Sequence, residues 1–412
     1  AKANAMEKVL HHHYQSNEES FYRLCVMFSS RAEHDEKLKE AIGAMAAQAN
    51  AQSDPSGWLN RCRFLYRNYD SFDALPQDML ELFFANLAQR MERYIQACEQ
   101  IKARYETIYS KERKKADQAM SKCDSLHALR SALASKDYSQ IRTAMIASAH
   151  VLTPTSPDKE DTSYIHLRDQ ITKMEDDLLG MLYEESLLLH DIGDLEEAVG
   201  TLIDLCQEYM DVFAQIKQEM NCIDFDDMEH FALHILQADH GAIAAHYREL
   251  FDEIMVDEFQ DTNDVQNELV KLIARDNNVF RVGDIKQSIY GFRHARPQLM
   301  RSLIDMAGPQ DEVIYLSNNY RSKEMIVDFN NRLFTELMNL PGFDTRYAQQ
   351  DHVACGISEQ KKDNVSIQFH AIDAAAVKED GDIVLSTNEL KASYIASKIV
   401  EIKEREQRNW KD

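Results

Sequence analysis

Glycine and proline are scarce in this chain, with 12 glycines and 7 prolines among 412 residues. Because these residue types make most tight turns, their scarcity predicts long helices joined by few loops. No apolar run approaches the roughly 18 residues that cross a membrane, and the first residues lack the apolar core of a signal peptide. We therefore expect a cytoplasmic protein without a membrane segment.

Paired cysteines and surplus basic residues are also missing. The seven cysteines are scattered and form no Cys-x-x-Cys pair, which argues against zinc or iron–sulfur sites and fits a reducing compartment. The 46 lysines and arginines face 70 acidic residues, giving a net charge of −24. Affinity for nucleic-acid phosphates comes from clustered Lys and Arg, so any contact with DNA must be local.

Residues 1–222 carry the apolar periodicity of long helices. Three runs repeat apolar residues at alternating spacings of four and three, as in helices packed lengthwise on a partner. The runs are Phe84, Leu87, Met91, Tyr94, Cys98, Ile101, Tyr105 and Ile108; Leu167, Ile171, Met174, Leu178 and Met181; and Leu195, Val199, Leu202, Cys206, Tyr209, Phe213, Ile216 and Met220. With a Pro-rich breaker at 153–158, they predict an elongated antiparallel bundle, a helical arm.

Two local features of this region allow an ordinary and a functional interpretation. The histidines at 11–13 diverge around a helix, so a solvated or partly buried face is favoured over a metal site. Lys111, Arg113, Lys114 and Lys115 form the densest basic cluster of the chain. A solvated helix face is favoured for these residues too, and contact with duplex phosphates is the alternative.

Three short apolar runs farther along end abruptly in polar residues, as buried parallel strands do. Residues 254–256 precede Asp-Glu-Phe-Gln-Asp-Thr-Asn, residues 279–282 precede Gly-Asp-Ile-Lys-Gln-Ser-Ile-Tyr-Gly-Phe-Arg, and residues 313–316 precede Ser-Asn-Asn-Tyr-Arg-Ser. Ligands collect at the carboxyl ends of strands in open α/β sheets. The acids, glutamine and arginine at these ends therefore predict a phosphate and metal site.

Further elements flank these runs. A short helix is predicted from 223 to about 235, capped by Asp224 or Asp226, and a structural role is favoured for Asp224, Phe225 and Asp227. Other helices are predicted at about 265–273, 297–306, 323–338 and 388–408. A strand is predicted at 364–372, a breaker at 339–344 and an acidic loop at 378–382.

The three polar strings together resemble, in order and spacing, motifs of the UvrD/Rep-type helicases of superfamily one. Lys286 and the segment 223–230 are most similar to the AddA (RexA) branch, the helicase subunits of helicase–nucleases. The resemblance implies an α/β fold with a large all-α insert: partial RecA-like P-loop motor domains plus an elongated helical arm. The implied domains are the insert at 1–222, the first motor domain at 223–308 and the second at 309–412.

The resemblance also implies an ATP site with Mg²⁺. Asp257 would hold the Mg²⁺, and Glu258 would be the general base for the attacking water. Gln260 would couple this acid pair to its surroundings and contribute to nucleotide binding. Gln287 would sense the γ-phosphate.

The remaining implied roles concern the nucleotide base and DNA. Tyr320 would stack on the adenine, and Arg321 would be the arginine finger that neutralises charge on the transferring phosphoryl group. Tyr290 and Phe292 would stack on bases of single-stranded DNA, with Arg293 close by. Ordinary core packing is the alternative for these two rings.

The implied partners are single-stranded and double-stranded DNA and an AddB/RexB-type nuclease subunit in a heterodimer that processes DNA ends for recombinational repair. However, none of the twelve glycines lies in a Gly-x-x-x-x-Gly-Lys-Thr/Ser phosphate loop. We therefore expect a fragment, without the nuclease domain of such subunits, that does not hydrolyse ATP by itself. An ATPase-dead scaffold that uses the helical arm is the alternative, and the intact motif residues argue against it. The three motifs make an unrelated helical adaptor a poorer explanation.

Overall fold

Helices make up most of the residues that the computed structural model describes, which are 1–29, 35–338, 347, 351–356, 367–370 and 386–406. One compact unit comprises Ala1–Ile314 with Met338, and another comprises the described residues of Tyr315–Leu337 and Tyr347–Asp412. No helix in the described ranges is both long enough and apolar enough to cross a membrane.

The first unit begins with an all-helical region and continues with alternating strands and helices. Its helices and strands are α1 (Lys2–Ser16), α2 (Glu19–Phe28), α3 (Glu36–Asn50), α4 (Pro55–Phe64), α5 (Gln77–Thr107), α6 (Arg113–Ser135), α7 (Tyr138–Ala149), α8 (Thr162–Met181), α9 (Glu185–Glu219), α10 (Phe225–Leu250), β1 (Ile254–Val256), α11 (Asp264–Ile273), β2 (Val279–Arg281) and α12 (Pro297–Asp305). The predicted breaker at 153–158 is confirmed, because it lies between α7 and α8.

The three predicted apolar runs lie on α5, α8 and α9. Their buried members are Phe84, Leu87, Met91, Tyr94, Cys98, Ile101 and Tyr105 on α5, Ile171 and Leu178 on α8, and Cys206, Tyr209, Phe213 and Ile216 on α9. Two end positions were wrong: Ile108 and Met220 are 65% and 61% exposed. Each is the residue directly after its helix, where the buried stripe has ended.

Two hydrophobic cores hold the helical region, where the sequence predicted one bundle. The first core unites α5 to α8 with Leu189 at the start of α9. In it α5 and α8 run antiparallel, because Tyr94 donates to Glu175 at 2.5 Å while Tyr164 donates to Tyr105 at 3.2 Å. The second core packs α1 to α4 on the rest of α9. Since α9 has 35 residues, it is about 50 Å long and can serve both cores.

Helix α10 is longer than predicted and is interrupted. Ala238 to Gly241 depart from helical geometry, with positive φ at Asp239, His240 and Gly241, and a second helical segment then runs to Leu250. The cap is Asp224, whose side chain accepts from the Asp227 N–H at 3.0 Å. The sequence left Asp224 and Asp226 as alternatives, and the structure selects Asp224.

Strands β1 and β2 are parallel neighbours, as predicted. Ile254 pairs with Val279, and Met255 pairs with Phe280. The prediction that they are buried was wrong on one face, since Met255 is 75% and Phe280 54% exposed. The physical reason is that no layer of the described residues covers that face of this two-stranded sheet.

The third predicted strand was wrong. Residues 313–316 form no strand and are 40–81% exposed. A β-branched run needs a neighbouring strand for its backbone groups, and within the described ranges it has none. Instead β3 (Asn318–Asn319) pairs in parallel with β4 (Ala354–Cys355) in the second unit.

The second unit also contains two predicted helices. They are α13 (Glu324–Leu337) and α14 (Thr387–Glu406). The predicted strand at 364–372 is absent over its described part, 367–370, where Phe369 is 93% exposed and no buried face exists. The rest of that segment, the breaker at 339–344 and the acidic loop at 378–382 lie outside the described residues.

Candidate functional site

The acid pair Asp257 and Glu258 follows β1 directly and precedes a short 3-10 helix, Phe259–Asp261. Both side chains are exposed. Glu258 has a left-handed backbone, with φ 50° and ψ 41°, which costs a residue with a Cβ about 1–2 kcal/mol. Its N–H donates to Asp257 Oδ1 at 2.9 Å. This tight turn places both carboxylates at the carboxyl end of the strand.

Gln260 connects the acid pair to the loop after β2. Its side chain is buried, and the residue is 1% exposed. Nε2 donates to Glu258 Oε2 at 2.7 Å, and Oε1 accepts from the Asp284 N–H at 2.9 Å. The main-chain oxygen of Gln260 accepts from Ser288 Oγ at 3.3 Å. One amide side chain therefore ties together the two loops that carry the predicted motifs.

Gly283 makes room for this bridge. A Cβ at Gly283 would overlap Gln260 Oε1 and would lie 3.0 Å from the Phe259 nitrogen. Close backbone approach, rather than positive φ, thus requires glycine here. No role for Gly283 was predicted from the sequence, although its place directly after a predicted strand was a usable signal.

Asp284 holds Gln287. Gln287 Nε2 donates to Asp284 Oδ2 at 2.9 Å, and Lys286 Nζ lies 2.8 Å from Oδ1. Burial alone would raise the pKa of Asp284, but the hydrogen bonds from Lys286 and Gln287 outweigh it, so the pKa lies below its ordinary value. The carboxylate therefore stays ionised and orients the glutamine. This link was not predicted from the sequence.

Negative charge accumulates beside Gln260. Burial, and then the charge of Glu258, raise the pKa of Asp261. Its Oδ1 is buried without a hydrogen-bond partner among the described residues. The Arg281 guanidinium lies 5.2 Å from the centroid of the Phe259 ring, and burial lowers the pKa of Arg281. The strand end thus favours a bound cation near the acids.

The donor set fits Mg²⁺ in the way nucleotide sites use it. Mg²⁺ takes oxygen ligands and is commonly held by one or two carboxylates, with waters and substrate phosphates completing its shell. Asp257 Oδ2 has no partner within the described ranges, so it can supply such a carboxylate oxygen. No group of three or more His, Cys, Asp or Glu side chains in those ranges could hold a metal alone.

Tyr290 and Phe292 lie on an exposed turn. Phe292 is 76% and Tyr290 40% exposed, and their ring centroids are 5.6 Å apart with an interplanar angle of 42°. Arg293 is exposed beside them. Core packing, the alternative weighed for these rings, is therefore excluded for Phe292 and accounts for only part of Tyr290. Both rings offer a face to a ligand.

Tyr320 and Arg321 lie in the second unit, on a turn after β3. Asn319 Oδ1 accepts from the N–H groups of Arg321 at 2.9 Å and Ser322 at 2.8 Å. Tyr320 is 66% exposed. A Cβ at Gly356 would overlap its ring, so the Gly356 backbone supports the ring from one side. Arg321 is also exposed.

The structure decides one of the two ambiguous features of the helical region. His11 and His12 are exposed, whereas His13 bonds Glu208 at 2.7 Å, which confirms a solvated and partly buried face. The basic segment at 111–115 spans the start of α6. Its residues are exposed apart from Lys115, which is partly buried and donates to Ser156 O at 3.5 Å.

Comparison with known proteins shows which proteins this chain is similar to. Residues 5–307 match the model of the UvrD/REP helicase N-terminal domain. A Staphylococcus carnosus protein, named as the A-type subunit of an ATP-dependent helicase/nuclease, is 28% identical over 418 residues, 96% of this chain and 33% of its own length. The Enterococcus faecalis protein of the same name is 27% identical over 421 residues, 90% of this chain and 32% of its own length. Another, from Clostridium beijerinckii, is 34% identical over 246 residues, 54% of this chain and 19% of its own length. The chain thus spans about a third of the length of the first two.

Proposed function

Because this chain belongs to the UvrD/REP helicase family, we propose that it carries the ATP-hydrolysis acid pair and the DNA-stacking turn of an AddA-type helicase. The observation that carries the proposal is the Gln260 bridge. It bonds Glu258 at 2.7 Å and the Asp284 backbone at 2.9 Å, and the loop of Asp284 continues to Tyr290 and Phe292. A helicase needs such a connection between nucleotide and DNA.

On the nucleotide side, Asp257 would hold Mg²⁺, and Glu258 would accept the proton of the attacking water. Bound Mg²⁺ neutralises developing charge on the phosphates. Gln260 Nε2 donates to Glu258 Oε2. This hydrogen bond fixes the carboxylate and leaves its other oxygen to accept the proton. Gln287 contacts the γ-phosphate and is oriented beforehand by Asp284.

Two nucleotide-binding roles are also proposed for residues of the second unit. Tyr320 stacks on the adenine, with its ring supported by Gly356. Arg321 is the arginine finger, a role for which its permanent charge and planar fork of donors are suited. The proposal for these two residues rests on the motif and on their exposure.

On the DNA side, Tyr290 and Phe292 stack on successive bases of a single strand. Each base–ring contact is worth about 1–3 kcal/mol and tolerates any sequence. Stacking also suits a chain with a net charge of −24, because it does not depend on a general phosphate attraction. Arg293 adds a local positive charge.

The proposed partner is an AddB/RexB-type nuclease subunit in the cytoplasm. Its support is that relatives matching most of this chain are named as A-type subunits of ATP-dependent helicase/nucleases. The proposed substrate of the assembly is the double-strand DNA end, which it processes for recombinational repair.

Equilibrium binding of a labelled single-stranded oligonucleotide tests the DNA side. Phe292→Ala should weaken binding by about tenfold or more, since one stacked base is lost. The matched control is Ile289→Ala: Ile289 is 73% exposed, close to the 76% of Phe292, but it has no ring. Equal affinity of the wild type and Phe292→Ala, or equal losses in both variants, would contradict stacking at this turn.

Phosphate release tests the nucleotide side. We expect no DNA-stimulated ATP hydrolysis by this polypeptide alone, because its sequence contains no phosphate loop to hold the β- and γ-phosphates. Turnover that disappears in Glu258→Gln would overturn this expectation and would show that the acid pair works without that loop.

A further inference from the structure

His294, which directly follows the stacking turn, has a left-handed backbone with φ 62° and ψ 25°. Histidine tolerates this conformation better than most residues, but glycine and asparagine adopt it at lower cost. Strain that persists in a folded protein calls for an interaction that enforces it. The side chain of His294 is the place to look for that interaction.

The His294 side chain reaches the helical region. Its Nδ1 lies 2.7 Å from Oε1 of Gln48, a hydrogen bond that spans 246 residues of sequence. Gln48 is on α3, which is fixed because Ala46 and Ala49 on either side of it are buried in the second core. A second bond, from His230 of α10 to the Asn50 main-chain oxygen at 2.9 Å, attaches the same end of α3.

Hydrogen bonds to other segments of the chain hold the stacking turn. Before the rings, Ser288 Oγ donates to Gln260 O at 3.3 Å, and after them the Arg296 N–H donates to Thr262 O at 2.9 Å. Both of these anchors belong to the acid-pair loop. The bond between His294 and Gln48 is another anchor, and it comes from a helix outside the α/β region.

We infer that Gln48 is a positioning residue for DNA binding. Through His294 it holds the stacking turn, so that the rings of Tyr290 and Phe292 are already oriented when a DNA strand binds. The inference rests on the proposed DNA-stacking function of this turn. It extends the site into the helical region, which is then required for DNA affinity without itself touching DNA.

Hydrogen exchange of the turn, measured without DNA on the full chain, is the first readout. The His294 N–H donates to Gly291 O at 2.9 Å, and the Arg293 N–H donates to Tyr290 O at 2.8 Å. In Gln48→Ala both amides should exchange about two- to tenfold faster, the scale of one lost hydrogen bond. His294→Asn keeps the left-handed backbone but is too short to reach α3, and it should give the same increase.

Single-strand affinity of the same variants is the second readout. Gln48→Ala and His294→Asn should each weaken binding about three- to tenfold, and the double variant no more than either, because one bond is lost in all three. Gln48→Glu restores an acceptor oxygen and should recover wild-type exchange and affinity. Gln77→Ala, at an exposed glutamine whose side chain bonds Glu81 on the same helix, is the control and should change neither.

The outcomes separate the inference from the proposed function. Unchanged exchange in Gln48→Ala overturns the inference, as does faster exchange with unchanged affinity. If the wild type binds no single strand, the proposed function fails instead, and the exchange data still decide whether Gln48 holds the turn.

Discussion

Replacing Gly283 by alanine should break the bridge between the acid pair and the stacking loop. The added Cβ would overlap Gln260 Oε1 and crowd the Phe259 nitrogen at 3.0 Å. Gln260 is 1% exposed and has little room to move. We therefore expect its amide to leave both Glu258 and the Asp284 N–H.

The expected cost follows from the bonds that are lost. The hydrogen bond to Glu258 is charge-assisted but ends on an exposed carboxylate, so we assign it about 1.5 kcal/mol. Losing the hydrogen bond from the Asp284 N–H, which is then left without an acceptor, adds about 1–2 kcal/mol. The lower entropy of the unfolded alanine chain returns about 0.4–1 kcal/mol. The local stability should fall by about 1.5–3 kcal/mol, equivalent to about 12- to 150-fold faster exchange.

Hydrogen exchange by mass spectrometry, in peptides covering 257–262 and 282–288, measures this effect. Gly291→Ala is the matched control, because nothing lies within 4 Å of its Cβ position, and its effect should stay below about 0.5 kcal/mol. In a Gln260→Ala background the overlap with Oε1 is gone and the close approach to the Phe259 nitrogen at 3.0 Å remains, so Gly283→Ala should cost clearly less there than in the wild type. An equal cost of Gly283→Ala in both backgrounds would refute the proposed clash with Gln260.

Three further predictions concern the helical region. Met91→Ala, at a fully buried position, should lower the free energy of unfolding by about 2–5 kcal/mol, whereas Glu92→Ala should lower it by less than about 1 kcal/mol. Urea denaturation measures both, and similar losses in the two variants would contradict the two-core packing. Lys122→Met should lower the free energy of unfolding by about 3–5 kcal/mol, because the Lys122 side chain is 3% exposed and pairs with Glu175 at 2.6 Å. Adding Glu175→Gln should restore part of this free energy, and no restoration would argue against the pair. A hydrogen bond from Tyr109, then one from the Tyr164 N–H, lower the pKa of Asp161 from 3.8 to about 2, so its stabilisation is complete above about pH 4 and is lost as the pH falls through 2. Asp161→Asn should therefore flatten the acid limb of thermal stability between pH 4 and 2, and an unchanged limb would exclude Asp161 as its source.

The helices were predictable because burial on a helix follows a local period. The heptad spacing that contains Met91 and Ile101 depends only on residues a few positions apart, and the structure buries both. The cap of α10 was predicted as Asp224 or Asp226, because a capping residue and the amide it accepts from lie within three residues of each other, and Asp224 is the cap. The interruption of α10 was missed, because three consecutive left-handed residues there include a single glycine, Gly241.

The strands and the site show where local information ends. The apolar runs at 254–256 and 313–316 look alike in sequence, but only the first has a neighbouring strand to pair with in the described ranges. Motif residues such as Glu258 and Gln287 were identified one by one. Their connection through the buried Gln260 amide depends on two loops meeting in space, 24 residues apart at Asp284, which no periodicity encodes.

The most direct test of the central claim is to locate the bound single strand on the protein. An oligonucleotide carrying 5-iodouracil, which couples to nearby aromatic side chains on irradiation, can be crosslinked to the full chain and the adduct mapped by mass spectrometry. Stacking at the exposed turn predicts adducts at Tyr290 or Phe292, retained in Ile289→Ala and lost when both rings are replaced by alanine. Adducts confined to the basic segment at 111–115, or binding without any adduct at the two rings, would contradict the assignment of this turn as the DNA site.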